Sequence, residues 1–220
     1  PLLIGLIIIL VQNNRNKYLL IAVLFISIDV LVYISGERTA LGLMTILSIF
    51  LIIFMTKYRL LRIFTLLISI LLIITISIQS PSIKNRVIDN TIEQMGLNND
   101  SDKVIYFSSI HDSLYRTAFE SFKDKPLFGH GPNTFRETCK LEKYRIGKYN
   151  CSTHPHNFYL QLLSEIGILG FIPILIITSY FFIGLLKQLV FIFKRKKPYY
   201  SDFQICMIGC FILTLWPLLP

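Results

Sequence analysis

The 220-residue chain is 53% hydrophobic, with a mean hydropathy of +0.59 and a formal net charge of +9. Apolar residues gathered into long blocks exclude an ordinary soluble domain and place the chain in the membrane class. The excess of 22 Lys and Arg over 13 Asp and Glu matches the cationic bias of cytoplasmic loops. Nucleic-acid binding is set aside, because no basic patch is interleaved with aromatic residues.

Leu2–Val11 opens the chain already apolar, and Phe211–Pro220 closes it still apolar. Both ends read as cuts through hydrophobic segments of a longer polytopic protein. Leu2–Val11 is too short and too poorly flanked for a signal peptide. Tyr18–Ile34, Ala40–Thr56 and Arg62–Ile78 follow as apolar runs of about 17 residues, at the short end of what spans a bilayer. Backbone groups in lipid must pair within their own segment, so each run is expected to be a helix. Ile166–Phe193 is a longer run, enough to span with tilt, and Phe203–Pro220 is a last, truncated one.

The connections set the orientation. Asn13–Lys17, Lys57–Arg62 and Lys187–Asp202 together hold ten basic residues and one acid, Asp202. The other connections, Ser35–Thr39 and Gln79–Phe158, must then lie opposite, and the longer of them carries eleven basic and nine acidic residues. Alternation of the spans demands the same partition, so the basic connections are expected to be cytoplasmic and Gln79–Phe158 external. The expected fold class is all-α: transmembrane helices over 1–78, an external, partly helical loop over 79–158, and transmembrane helices over 159–220.

A loop of some 80 residues is too long for an idle connection. Gln79–Asp102, with the Asn98–Asp102 run, reads as irregular with one short helix. Ser109–Lys125 reads as an amphipathic helix, with Leu114, Ala118 and Ser121 on one row and Tyr115, Phe119 and Phe122 on the next. Ser109 with Asp112 gives a weak start signal, and Pro126 ends the pattern. Pro126–Phe135 is turn chemistry with two glycines and two prolines. Cys139 and Cys151 fall in the external segment. An oxidising compartment would join them in a disulfide, the alternative being two free thiols. Cys206 and Cys210 are small apolar residues of a helix.

All four histidines, His111, His130, His154 and His156, lie in the external segment. His154-Pro-His156 would let two rings face one way in an extended chain, but no HExxH or CxxC spacing accompanies them. A histidine there is otherwise a general base, since imidazole titrates near neutral pH, or a structural group at a helix start. Arg38, in the short turn Ser35–Thr39, sits on the side where the charge bias predicts fewer cations. It either snorkels or pairs with Glu37, or it binds a phosphate through its planar fork. Arg116 is either a surface residue with a buried stem or an anion ligand.

Three segments together resemble the superfamily of bacterial O-antigen ligases and O-antigen polymerases. SGERTALGLM (Ser35–Met44) is similar to the family's small-Gly-x-Arg-(Ser/Thr) turn opening a transmembrane helix. YRTAFESFKDKPLFGHGPNTF (Tyr115–Phe135) is similar to its Arg-containing loop helix and Pro-Leu-Phe-Gly-x-Gly turn. HPHNFYLQLLSEIGILG (His154–Gly170) resembles its His-Asn-x-x-Leu…Glu-x-Gly signature. The resemblance covers nearly the whole chain and corresponds to the C-terminal portion of the family.

The resemblance implies an integral-membrane glycosyltransferase of the bacterial inner membrane, working at the periplasmic face. It would move a glycan from an undecaprenyl-diphosphate carrier to an acceptor hydroxyl on lipid A core, another glycan repeat or a protein. No metal, cofactor or nucleotide sugar is implied. It assigns the base to His156, which precedes Asn157, and diphosphate binding to Arg38 and Arg116. His154, Asn157 and Glu165 join them at the substrate, Glu165 either orienting the histidine or capping a helix. Gly129, Gly131 and Asn133 are expected to shape the turn. Two other classes remain: a transporter or flippase of the same lipid-linked glycan, and a non-catalytic membrane protein with an external ligand-binding loop. Against transport, Asp29 is the one charge well inside a span, where transport paths usually need several.

Overall fold

A computed structural model describes residues 15–94 and 109–216. The truncated run Leu2–Val11, the Asn98–Asp102 run and the end of Phe203–Pro220 lie outside them. Among the described residues the chain is helical without strands. The fold is that of an all-α, polytopic membrane protein.

The chain divides into two compact units. The first contains α1 (Arg15–Ser35), α2 (Arg38–Phe54), α3 (Arg59–Gln79), α4 (Pro81–Lys84), a π-helical turn at Asn85–Asp89 and the start of α5 (Asn90–Gln94). It also takes residues 181–193 and α9 (Asp202–Thr214). Two of these helices are long and apolar enough to cross a membrane, through Tyr18–Ser35 and Arg59–Gln79. The apolar helix α2 has 17 residues, about 25 Å at 1.5 Å per residue, just short of a ~30 Å hydrocarbon core.

The core of this unit gathers Leu47, Leu51, Leu185, Tyr200, Ile205, Cys206 and Ile208. Gly184 lets Tyr200 in, since a Cβ there would stand 2.0 Å from the tyrosine oxygen. Gln188 fastens the same corner, its side chain accepting from the Tyr200 amide (2.8 Å) and donating to the Phe54 carbonyl (3.0 Å). The α2–α3 turn is braced from α9, where the Asp202 carboxylate accepts from the amides of Thr56 (2.9 Å) and Lys57 (3.1 Å). Arg62 completes the brace by donating to the Met55 carbonyl (2.9 Å). Backbone groups left unpaired at helix ends are thereby satisfied by side chains.

The second unit spans Ile92–Tyr180. It holds α6 (Ser109–Asp124), the short α7 (Phe135–Thr138), a 3-10 turn (Glu142–Tyr144) and the first part of α8 (Phe158–Phe193), the third helix long and apolar enough to span. The buried face of α6 carries Leu114, Tyr115, Thr117, Ala118 and Ser121, packed with Phe135, Cys139 and Leu160. The face is rotated from the expected rows. Phe119 points outward, 44% exposed, with the Lys123 ammonium 5.0 Å from its ring centre, while Thr117 is wholly buried.

Candidate functional site

The turn Pro126–Phe135 and the signature beginning at His154 form one module. α8 breaks at Gly167, whose φ is +65° and ψ −169°. In an unbroken helix the amides of Ile168 and Leu169 would bond to the carbonyls of Ser164 and Glu165. They donate instead to the carbonyls of Pro126 (2.8 Å) and Leu127 (3.2 Å), and the freed carbonyls accept from His130 (3.0 Å) and Gly131 (2.7 Å). Four backbone groups displaced by the break are thus re-paired by the turn, which is what permits a break within an apolar helix. The fit is close enough to require glycine on both sides. A Cβ on Gly129 would stand 2.4 Å from the carbonyl carbon of Glu165, and one on Gly167 would stand 2.4 Å from the carbonyl oxygen of Leu127.

Glu165 belongs to this module. Its buried carboxylate accepts from the amides of Asn133 (2.9 Å) and Phe135 (3.2 Å), and Gln161 donates to it at 3.4 Å. The carboxylate therefore faces the turn. Asn133 sits at φ +59°, a conformation asparagine tolerates better than most residues.

Cys139 and Cys151 are joined by a disulfide, with Cα atoms 5.0 Å apart. Asn150 donates to the Cys139 carbonyl at 2.9 Å. The excursion between the cysteines is also held to the end of α6, because the Asp124 carboxylate accepts from the Tyr144 hydroxyl (2.6 Å) and the Lys143 ammonium (2.9 Å). Those two hydrogen bonds hold the Asp124 carboxyl below the usual carboxylate value.

The strand of chain leaving the disulfide brings the histidines into α6. His156 is at φ +57°, an uncommon backbone for a residue with a Cβ. Its ring centre lies 4.2 Å from that of His154 and 5.5 Å from that of His111. His111 comes from the first turns of α6, one helical turn before Tyr115, and the two rings meet edge to face at 6.1 Å. The Tyr115 hydroxyl approaches the His156 carbonyl at 3.5 Å, and its interaction with Asn157 offsets part of the upward pKa shift that burial imposes on the phenol. Asn157 caps α8, its side-chain oxygen accepting from the amides of Tyr159 and Leu160 at 3.1 Å each.

Burial lowers the affinity of His156 for a proton, and the neighbouring His154 and His111 lower it further. His111 is lowered by burial alone. Arg116 is exposed on α6 and pairs with Asp112 one turn earlier at 3.0 Å, a surface pair of little worth that an incoming anion can displace. Arg38 opens α2 in the first unit, where its Nη1 meets Thr91 Oγ1 at 3.4 Å.

Sequence inspection assigned roles to His154, His156, Asn157 and Arg116, but named His111 only as one of four external histidines and gave Tyr115 no part in the site. His111 and Tyr115 are four apart, so they share a face of α6, and that spacing was the available signal. Tyr115 was read only as a member of an apolar row.

The class of protein is set by this combination of apolar spanning helices, broken helix and docked histidine loop: an integral membrane protein with a polar, histidine-bearing segment at its membrane edge. The O-Antigen ligase family (Wzy_C) matches residues 20–175, which takes in α1 to α3, the polar segment and the Gly167 break. The chain belongs to that family. No curated protein and no solved structure matches it significantly.

Proposed function

We propose that the protein is a glycosyltransferase of the bacterial inner membrane that moves a glycan from an undecaprenyl-diphosphate carrier to an acceptor hydroxyl at the periplasmic face. Family membership supports a ligase- or polymerase-type membrane transferase. The observation that carries the finer assignment is His156, whose ring stands 4.2 Å from that of His154 and 5.5 Å from that of His111, and whose proton affinity burial and those two imidazoles lower. A neutral imidazole near working pH is the form a general base needs.

In the proposed step, His156 takes the proton of the acceptor hydroxyl as that oxygen attacks the anomeric carbon. The bond from the anomeric carbon to the phosphate oxygen breaks, and the diphosphate leaves with the electron pair. Negative charge then grows on phosphate oxygens, where Arg38 and Arg116 stabilise it as planar, permanently charged donors. His154 and Asn157 line the approach to His156, with Asn157 fixing the start of α8. Glu165 acts at one remove, through the turn it holds. The leaving group supplies the driving force without a metal or cofactor.

The test is His156→Ala in a host lacking its own copy of the gene. Glycan transfer to the acceptor should vanish while the amount of protein in the membrane stays the same. Full transfer by the variant removes His156 from the chemistry. In the same host, single unpolymerised repeats on lipid A would assign the protein as a polymerase, and polymer left on the carrier as a ligase.

A further inference from the structure

The tip of the Pro126–Phe135 turn carries two large apolar side chains that the core leaves out. Leu127 is 56% exposed and Phe128 73%, and neither belongs to the cluster in which α6 packs with Phe135, Cys139 and Leu160. The turn is held by its backbone instead. The Leu127 carbonyl accepts from the Leu169 amide, and the Gly129 amide donates to the Lys125 carbonyl at 2.9 Å. A turn by itself asks for glycine, proline or short polar residues, so leucine and phenylalanine at its tip answer to something outside the packed core.

The neighbours of the tip say what that is. The bond from Leu169 to Leu127 sets the tip beside the first residues after the break, where Ile168 and Leu169 are exposed. The exposed apolar surface continues along α8 through Ile172, Leu175 and Ile176, on a helix long and apolar enough to cross a membrane. The tip thus extends a surface that a bilayer covers, within one compact unit. Just before it, Lys125 is exposed and, among the described residues, takes part in no ion pair. A free ammonium followed by exposed leucine and phenylalanine suits the membrane interface, the cation reaching headgroup phosphates while the apolar side chains lie beneath them.

We infer that Leu127 and Phe128 insert into the membrane at the boundary between headgroups and acyl chains, in the leaflet beside the Gly167 break, with Lys125 at the lipid phosphates. Backbone bonds lock the tip to α8, so its insertion fixes the depth of the turn. It fixes with it the Asn133–Phe135 segment that Glu165 holds. The inference concerns how the module is seated in lipid and stands apart from the reaction proposed above.

The experiment uses the purified full chain in nanodiscs of phosphatidylethanolamine and phosphatidylglycerol. Trp216 is the single tryptophan of the chain, so Trp216→Phe gives a background on which Phe128→Trp reports from the tip alone. The reporter should emit at shorter wavelength than tryptophan in water and resist quenching by acrylamide. It should lose most of its emission to a lipid nitroxide near the headgroup end of the acyl chain, and less to one near the terminal methyl. Leu127→Trp on the same background should behave alike, and it stands in if Phe128→Trp does not fold. Quenching by acrylamide and not by nitroxide places the tip in water and overturns the inference. Shielding from both quenchers means that protein covers the tip, which overturns it equally. Stronger quenching by the deeper nitroxide overturns the interfacial depth. Adding Lys125→Glu should raise acrylamide quenching of the reporter, and unchanged quenching removes Lys125 from the anchor.

Discussion

Replacing Gly129 by alanine should release the turn from the broken helix. The added Cβ would lie 2.4 Å from the carbonyl carbon of Glu165, against a comfortable carbon–carbon separation of about 3.5 Å or more. Two backbones cannot yield as a flexible side chain would, so they must part by about 1 Å. Parting breaks the bonds from His130 and Gly131 to the Ser164 and Glu165 carbonyls, worth about 1 kcal/mol each. Forcing an L-residue into φ +66° adds about 1–2 kcal/mol. The total, about 3–4 kcal/mol, is a large share of a typical 5–15 kcal/mol stability. Thermal unfolding of the purified protein in detergent should show a midpoint lower by about 6–15 °C. Gly167→Ala meets the same obstacle from the other side, at the Leu127 carbonyl. Because one separation relieves both contacts, the double variant should lose clearly less than the sum of the two single losses. A Gly129→Ala midpoint within 1–2 °C of wild type, or strictly additive losses, would refute the interlocked turn and helix.

Two further outcomes follow from the second unit. Because burial and two neighbouring imidazoles depress His156 below the ordinary histidine value of 6.5, its neutral form persists as the pH falls. The acidic limb of the kcat/KM profile should therefore lie below 6.5, and His111→Asn, which removes one like charge, should move it upward. A limb above that value, or one that moves downward in the variant, contradicts the assignment. Cys139 and Cys151 should resist thiol labelling until a reductant is added, and Cys139→Ser should lower stability by about 3 kcal/mol, the scale for closing a loop of this size. Labelling of both without reductant excludes the bridge.

Most of the architecture was legible along the chain. Charge bias and the alternation of apolar runs are properties of composition. The bilayer forces any run of sufficient length and apolarity to be a helix, so Tyr18–Ile34 and Arg62–Ile78 appear as α1 and α3 with ends shifted by a few residues. The α6 helix was legible for the same reason of periodicity, but its rotation was not. Thr117 and Phe119, two residues apart, lie on nearly opposite faces of the helix, and which of them is buried depends on Phe135 and Cys139 arriving from elsewhere in the chain. Apolarity favoured Phe119, and packing left it at the edge under Lys123.

The candidate site divides along the same line. His154, His156 and Asn157 are contiguous, so their neighbourhood was bound to be shared, and an asparagine before an apolar run is a readable helix cap. The chain by itself determined the spanning helices, the long polar segment and the residue types able to accept a proton or hold a phosphate, because those depend on composition and local spacing. Only the tertiary structure decided that His111 and Tyr115 flank His156, that Glu165 serves the turn, that the Pro126–Gly131 turn repairs a break at Gly167, and that Arg86 lies over Gly36. These pairings join rings, backbone amides and carbonyls, a carboxylate and two amides, or a side chain and a missing Cβ, across 30 to 50 positions. Neither a bare peptide group nor an absent methyl leaves a periodic mark in a sequence, so such contacts become visible only when the chain has folded.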